Sequence, residues 1–144
     1  MTFAIDVNLL LYASDETSPV HARAVEVLDQ IALGPEIAYL FWPTAMAYLR
    51  MATHPAIFDR PLGHADARAN IEALLALPHI RAAGEGESFW HRFVEVADDV
   101  APTGNLVSDA HLVTLMLENG VRTIWTRDRD YRKFTGIRTH DPFA

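Results

Sequence analysis

Cysteine is absent from this 144-residue chain, which removes disulfides, thiolate nucleophiles, zinc ribbons and iron–sulfur ligation together. Any bound metal must therefore sit on carboxylates or imidazoles. Lysine is almost absent too: of the 12 basic residues only Lys133 is not arginine. Acids outnumber bases 19 to 12, giving a net charge of −7. That balance argues against a nucleic-acid binder that gains affinity by neutralising phosphates, and leaves such a partner open only where cations mediate the contact. Long apolar runs are missing. The longest, residues 37–49, is broken by Pro43 and falls short of the roughly 20 residues a membrane-spanning helix needs. The first 13 residues lack a basic leader and carry Asp6, so no signal peptide is expected and the protein should stay in the cytoplasm. No Gly-rich phosphate loop, nucleophile elbow or fixed-period repeat is present. An aspartyl-nucleophile phosphatase would want a second acid where Asn8 stands and a lysine before its later acidic pair, whereas Lys133 follows Asp98-Asp99. A phospho-receiver domain fails similarly, for want of paired acids at the first strand end.

What is present is ordinary globular composition: 50% hydrophobic, 22% charged, mean hydropathy near zero. The length suits one α/β domain covering residues 1–144. Residues 2–6 read as a strand ending in an acid and passing into a helix that lasts to Ala13. Ser18-Pro19 supplies a cap and a first-turn proline for the next helix, which Gly34-Pro35 stops. A second strand is predicted over 37–41, and a helix from Pro43 that contains Ala47, Leu49 and Arg50. Residues 54–63 form a loop by their Pro and Gly content. Further helices are expected over 64–77, 87–100 and 105–118, with a weak strand over 79–82, the strongest strand signal over 121–126, and a short closing strand near 136–139. Strands alternating with helices imply an open, mostly parallel sheet covered on both faces. Active sites in such sheets lie beyond the carboxyl ends of the strands.

Three acids fall where such a site would be: Asp6 after the first strand, Asp109 one turn into a helix, and Asp128 after the strong later strand. Carboxylates gathered without basic partners repel one another, and a hard divalent cation such as Mg²⁺ or Mn²⁺ relieves that repulsion. Each acid also has a plainer role. Asp6 and Asp128 can cap the helices that follow them. Asp109 can be a solvated helix residue, although it stands in the apolar run Leu106-Val107-Ser108-Asp109-Ala110 and shares a face with Asn105.

The segments Phe3-Ala4-Ile5-Asp6-Val7-Asn8-Leu9-Leu10, Gly104-Asn105-Leu106-Val107-Ser108-Asp109-Ala110-His111-Leu112 and Thr126-Arg127-Asp128-Arg129-Asp130-Tyr131, the last followed by Phe134 and Gly136-Ile137, resemble the PIN-domain motifs of VapC toxins in order and spacing. Leu49-Arg50-Met51-Ala52-Thr53-His54-Pro55 is similar to the segment that precedes a variable loop in that family. The likeness spans the whole chain. It implies a PIN-like three-layer α/β sandwich with a mostly parallel central sheet, an Mg²⁺- or Mn²⁺-dependent endoribonuclease, RNA as substrate, a VapB-like antitoxin that blocks the site, and a homodimer. By position, Asp6 and Asp109 would be the principal metal ligands and Asp128 would complete the cluster. Asn8 and Thr126 would be supporting polar groups. The implied chemistry is in-line attack of water on phosphorus, leaving a 5′-phosphate and a 3′-hydroxyl.

One departure stands out. Many PIN nucleases carry a glutamate a few residues before the arginine that matches Arg50, but here that helix reads Thr44-Ala45-Met46-Ala47-Tyr48-Leu49-Arg50. Glu36 precedes the second strand and belongs to the opposite sheet edge, so Asp130 is the better substitute. The gap keeps a second reading in view, a catalytically silent PIN-like module that binds RNA or a protein. Arg127, Arg129, Arg132 and Lys133 form the one basic cluster and could guide a phosphate backbone. Arg50 and His54 are further candidate RNA contacts. His111 should point to a different helix face from Asp109 and serve packing. Phe41, Trp42, Phe89, Trp90 and Trp125 are expected in the core, since they fall within predicted elements.

Overall fold

The computed structural model describes residues Met1–Ala144. Five strands, β1 (Thr2–Ile5), β2 (Ile37–Phe41), β3 (Ile80–Ala83), β4 (Thr123–Trp125) and β5 (Arg138–His140), form one sheet in the order β3-β2-β1-β4-β5. Every pairing is parallel. Parallel strands need crossover segments that cover both sheet faces, so the strands read as apolar runs rather than alternations. Six helices supply the cover: α1 (Val7–Ser14), α2 (His21–Leu33), α3 (Trp42–Ala52), α4 (His64–Leu75), α5 (Phe89–Val100) and α6 (Asn105–Glu118). A short 3₁₀ helix, Arg129–Lys133, precedes β5.

The strand period of two divides the core into two layers. Phe3, Ile5, Ala38, Leu40 and Ile80 face one side and pack with Leu9, Leu10, Val27, Ile31, Tyr48 and Ile71 from α1 to α4. Ala4, Phe41 and Ile124 face the other, against Val113, Leu115 and Met116 of α6 and Tyr131 and Phe134 beyond β4. The α5 helix has no fully buried residue and joins this layer through partly buried Phe89, Phe93, Val96 and Val100. The sheet is therefore sandwiched between helices, as expected, and is parallel throughout.

The chain starts in the middle of the sheet, builds outward to β3, and returns across β1 to lay down β4 and β5. This reversal opens a crevice past the ends of β1 and β4, the usual position for a site in an open α/β sheet. Asp6 is fixed there, its N–H donating to the Trp125 carbonyl at 3.2 Å.

Several boundaries differ from the sequence reading. The α2 helix begins at His21 rather than at Ser18-Pro19, because Ser18 Oγ accepts from the Val20 N–H and its carbonyl accepts from the His21 N–H, forming a turn. The predicted strand over 121–126 shortens to Thr123–Trp125 because the Val121 N–H closes the α6 end on Met116 O. The α4 helix stops at Leu75, α5 starts at Phe89 and β3 is shifted one residue to Ile80–Ala83. Two aromatic assignments fail. Trp42 is 42% and Trp90 69% exposed, whereas Phe41 is buried and Trp125 stacks on Phe3 at 3.9 Å.

Candidate active site

Asp6 ends β1 and caps α1. Its Oδ1 accepts from the Val7 N–H at 2.7 Å and its Oδ2 from the Thr126 hydroxyl at 2.6 Å. Thr126 Oγ1 in turn accepts from the Asp128 N–H at 2.9 Å, so one buried hydroxyl ties the end of β1 to the segment leaving β4. Asp128 caps the 3₁₀ helix by accepting from the Asp130 N–H at 2.9 Å. Asp109 reaches the same place from the first turn and a half of α6. The capping and clustering readings of Asp6 and Asp128 thus coexist. A carboxylate oxygen with one hydrogen bond retains a lone pair for another partner.

Asp6, Asn8, Arg50, Asp109 and Asp128 line one cleft of about 670 Å³, walled by α3 and α6. Carboxylate oxygens of Asp109, Asp128 and Asp130 lie within 4.8 Å of one another. Asp6 is not part of that close trio, although its charge is felt by Asp109 and it feels that of Asp128. Asp130 alone among these acids has a basic partner, Lys133 at 3.2 Å. Burial lifts the Asp109 carboxyl to about 6, and the charges of Asp128, Asp6 and Asp130 add to it against an opposing hydrogen bond from Tyr131. Burial also raises Asp6 above the usual carboxylate range, opposed by its bonds to Thr126 and Val7. Both shifts come first from burial, with the charges of neighbouring carboxylates adding to it.

The donor set fits a hard cation. It consists of carboxylate and amide oxygens, the ligands Mg²⁺ and Mn²⁺ prefer. The buried Asn8 Oδ1 has no hydrogen-bond partner, and a buried acceptor left unpaired calls for a partner.

The remaining expected contacts are dispersed. His54 is exposed in the 54–63 loop and accepts from the Ala56 N–H at 3.0 Å. Arg127 lies over the Tyr12 and Phe143 rings, 5.7 and 5.5 Å from their centroids, and Arg129 is exposed without an ion pair. None of the three lines the cleft. Glu36 sits before β2, at the edge opposite the acids, and Ala47 lines the cleft without a carboxylate to offer. One residue was missed. Tyr131 is 3% exposed, lines the cleft and is pushed above the ordinary phenol range by burial and by the Asp6 and Asp109 charges. Its position three after Asp128, one turn on in a tight helix, was the available signal. His111 serves packing, its ring against that of Phe89, and it also lines the acidic cleft.

Fold and site together define a class: a three-layer parallel α/β protein with an oxygen-donor acidic cleft at the point where the strand order reverses. No family model matches the chain. Among proteins of known sequence, ribonuclease VapC48 of Mycobacterium tuberculosis is 46% identical over 144 residues, covering 100% of this chain and 99% of that protein. Ribonuclease VapC43 of the same organism is 33% identical over 138 residues, covering 96% and 93%. Among solved structures, VapBC2 from Rickettsia felis, bound to a promoter DNA fragment, superposes with a TM-score of 0.70 at 9% identity, over 97% of this chain and 98% of that one. Mycobacterium tuberculosis VapC20 does so at 0.68 and 14%, over 94% and 98%. The chain belongs to the VapC family of PIN-domain ribonucleases.

Proposed function

We propose that this chain is the toxin of a VapBC-type toxin–antitoxin pair, a single PIN domain that hydrolyses RNA phosphodiester bonds with Mg²⁺ or Mn²⁺. The observation that carries the proposal is the acidic cleft in which the oxygens of Asp6, Asn8, Asp109 and Asp128 converge, none of the three acids being in an ion pair. Asp6, Asp109 and Asp128 would hold the cation, with Asp130 and Asn8 in support. A cation bound there lowers the pKa of water and offsets charge developing at phosphorus. The chain's own residues do the rest. Thr126 holds Asp6 and Asp128 in one orientation, Tyr131 steadies Asp109, and Arg50 on the α3 wall offers the cleft's guanidinium to a phosphate. Hydrolysis leaves a 5′-phosphate and a 3′-hydroxyl.

The acidic cleft also suits a VapB-like antitoxin that inserts a basic or aromatic segment, since complementary charge favours such a partner. The exposed Trp90 and Val94 on α5 support a homodimer face. A cytoplasmic location belongs to the same reading; no helix is long and apolar enough to cross a membrane. The test is cleavage of total bacterial RNA by purified protein with Mg²⁺, Mn²⁺ or EDTA, alongside Asp6→Asn. Discrete, metal-requiring products that vanish in the variant support the nuclease. Ala47 in the cleft wall, where the family often has glutamate, favours the silent binding module should no metal and no RNA give cleavage.

A further inference from the structure

Side chains three apart in a 3₁₀ helix eclipse one another, so the short helix that leaves the acids sorts into three rows. Tyr131 and Phe134 form the inner row, each 3% exposed, in line with Asp128, which caps the helix and lines the cleft. Asp130 and Lys133 form the second, closed on itself by their 3.2 Å ion pair. Arg129 and Arg132 form the third. Both are exposed, and neither is in an ion pair. The row starts beside the site, because Arg129 stands between Asp128 and Asp130, whose carboxylate oxygens lie within 4.8 Å of each other and of Asp109. Six of the chain's 12 basic residues fall within residues 122–138, against two acids, in a molecule of net charge −7. Arg122 and Arg138 are exposed as well, the Arg138 N–H donating to the Arg122 carbonyl at 2.8 Å. Basic charge is thus concentrated next to the acid cluster of an otherwise acidic protein.

We propose that Arg129 and Arg132 form a phosphate-binding track, on which the backbone of the RNA strand lies as it leaves the acidic cleft. This deepens the ribonuclease reading and rests on it. A polyanion approaching a protein of this charge is repelled, and the acids hold only the phosphate under attack; the strand beyond it needs positive charge of its own. Arginine stays charged at any working pH and its planar fork pairs with phosphate oxygens, so the track depends on no titration. One 3₁₀ turn, about 6 Å of rise, sets the two side chains to serve successive phosphates of one strand. Such contacts fix register and carry no sequence information. RNA is favoured over an acidic protein segment because the row begins where a phosphate must already be bound for hydrolysis.

The test titrates a labelled random 12-nucleotide RNA pool by fluorescence anisotropy, in Ca²⁺ and at several salt concentrations, with RNA cleavage in Mn²⁺ followed separately. Arg129→Gln and Arg132→Gln should each weaken RNA binding about 2- to 5-fold, the scale of an exposed charge pair. The double variant should flatten the plot of log affinity against log salt by about 1.4, since each phosphate neutralised on a single strand contributes about 0.7. It should raise KM and leave kcat unchanged, the mark of a contact made equally in ground and transition states. Lysine at both positions should keep the slope. Arg92→Gln removes the same charge from an exposed position on α5 and should leave slope and KM as they are. A double variant with wild-type slope and affinity would overturn the track, as would a loss no larger than that from Arg92→Gln. A fall in kcat alone would overturn it too, making the row a support for Asp128 and Asp130. Loss of binding to a labelled 12-residue polyglutamate, with RNA binding intact, would assign the row to an acidic protein segment instead. A wild type that cleaves no RNA yet binds it with the expected arginine dependence would sink the nuclease reading and leave the track standing.

Discussion

In metal-free protein, Asp109 stores a cost that its removal should release. Its carboxyl is raised from 3.8 to about 6. At about 1.4 kcal/mol per pH unit of displacement, that would be a ceiling near 3 kcal/mol for a buried group. Asp109 is only half-buried, and solvent screening reduces the figure to about 1 kcal/mol. The folded value lies above the unfolded one, so between about pH 4 and 6 the folded state binds more protons and stability falls as pH rises. Above about pH 6 the cost is complete. Asp109→Asn in EDTA should therefore raise the melting temperature at pH 7.5 by about 3 °C, since 1 kcal/mol moves a domain of this size by roughly that much. The gain should largely disappear at pH 4. Mn²⁺ should reverse the order, because the wild type keeps the carboxylate that binds it and a ligand of the folded state stabilises it. Scanning calorimetry at pH 4 and 7.5, with EDTA and with Mn²⁺, measures all four values. A variant melting below wild type in EDTA at pH 7.5, or a gain of equal size at pH 4, would refute the electrostatic account of the cluster.

Three further expectations follow from the site. Thr126→Val keeps the shape but strips the buried donor from Asp6 Oδ2, so urea unfolding should show a loss of about 1–3 kcal/mol and RNA cleavage should fall mainly in kcat. Ala47→Glu places a carboxylate in the cleft wall where the family often has one; calorimetric titration should show tighter Mn²⁺ binding and thermal melts a less stable metal-free protein, and unchanged Mn²⁺ affinity would contradict the assignment of this cleft. Trp90→Glu charges the exposed α5 face and should convert the proposed homodimer to monomer in analytical ultracentrifugation, with its isolated-protomer fold intact by circular dichroism; a wild type that sediments as a monomer would contradict the proposed α5 face.

Much of the architecture was legible because parallel strands announce themselves as apolar runs. The β2 strand and α6 fall on their expected residues, and the acids after β1 and β4 are placed by strand polarity alone. Boundaries drifted where local hydrogen bonding competed with periodicity, as at Ser18, whose side chain builds a turn instead of a helix start. Trp42 and Trp90 were misread because hydrophobicity says what a side chain could bury, and not whether the fold supplies a neighbour. Arg127 is adjacent to Asp128 in sequence, yet its guanidinium lies over Tyr12 and Phe143, a contact set by the packing of α1 against the C-terminal segment. Asn8 could be named from its place two residues after Asp6, but its lack of a partner is a property of the folded cleft. Two positions along a helix turn a side chain by roughly 200°, so that His111 shares the cleft with Asp109 only because the cleft is broad enough to take in both.

The most direct test of the central claim is metal-dependent cleavage of total bacterial RNA by wild type and Asp6→Asn, with products mapped at both ends. The account predicts discrete fragments carrying 5′-phosphate and 3′-hydroxyl termini, formed with Mg²⁺ or Mn²⁺, abolished by EDTA and by the substitution. Cleavage that persists in EDTA, or that leaves 2′,3′-cyclic phosphate ends, would contradict it.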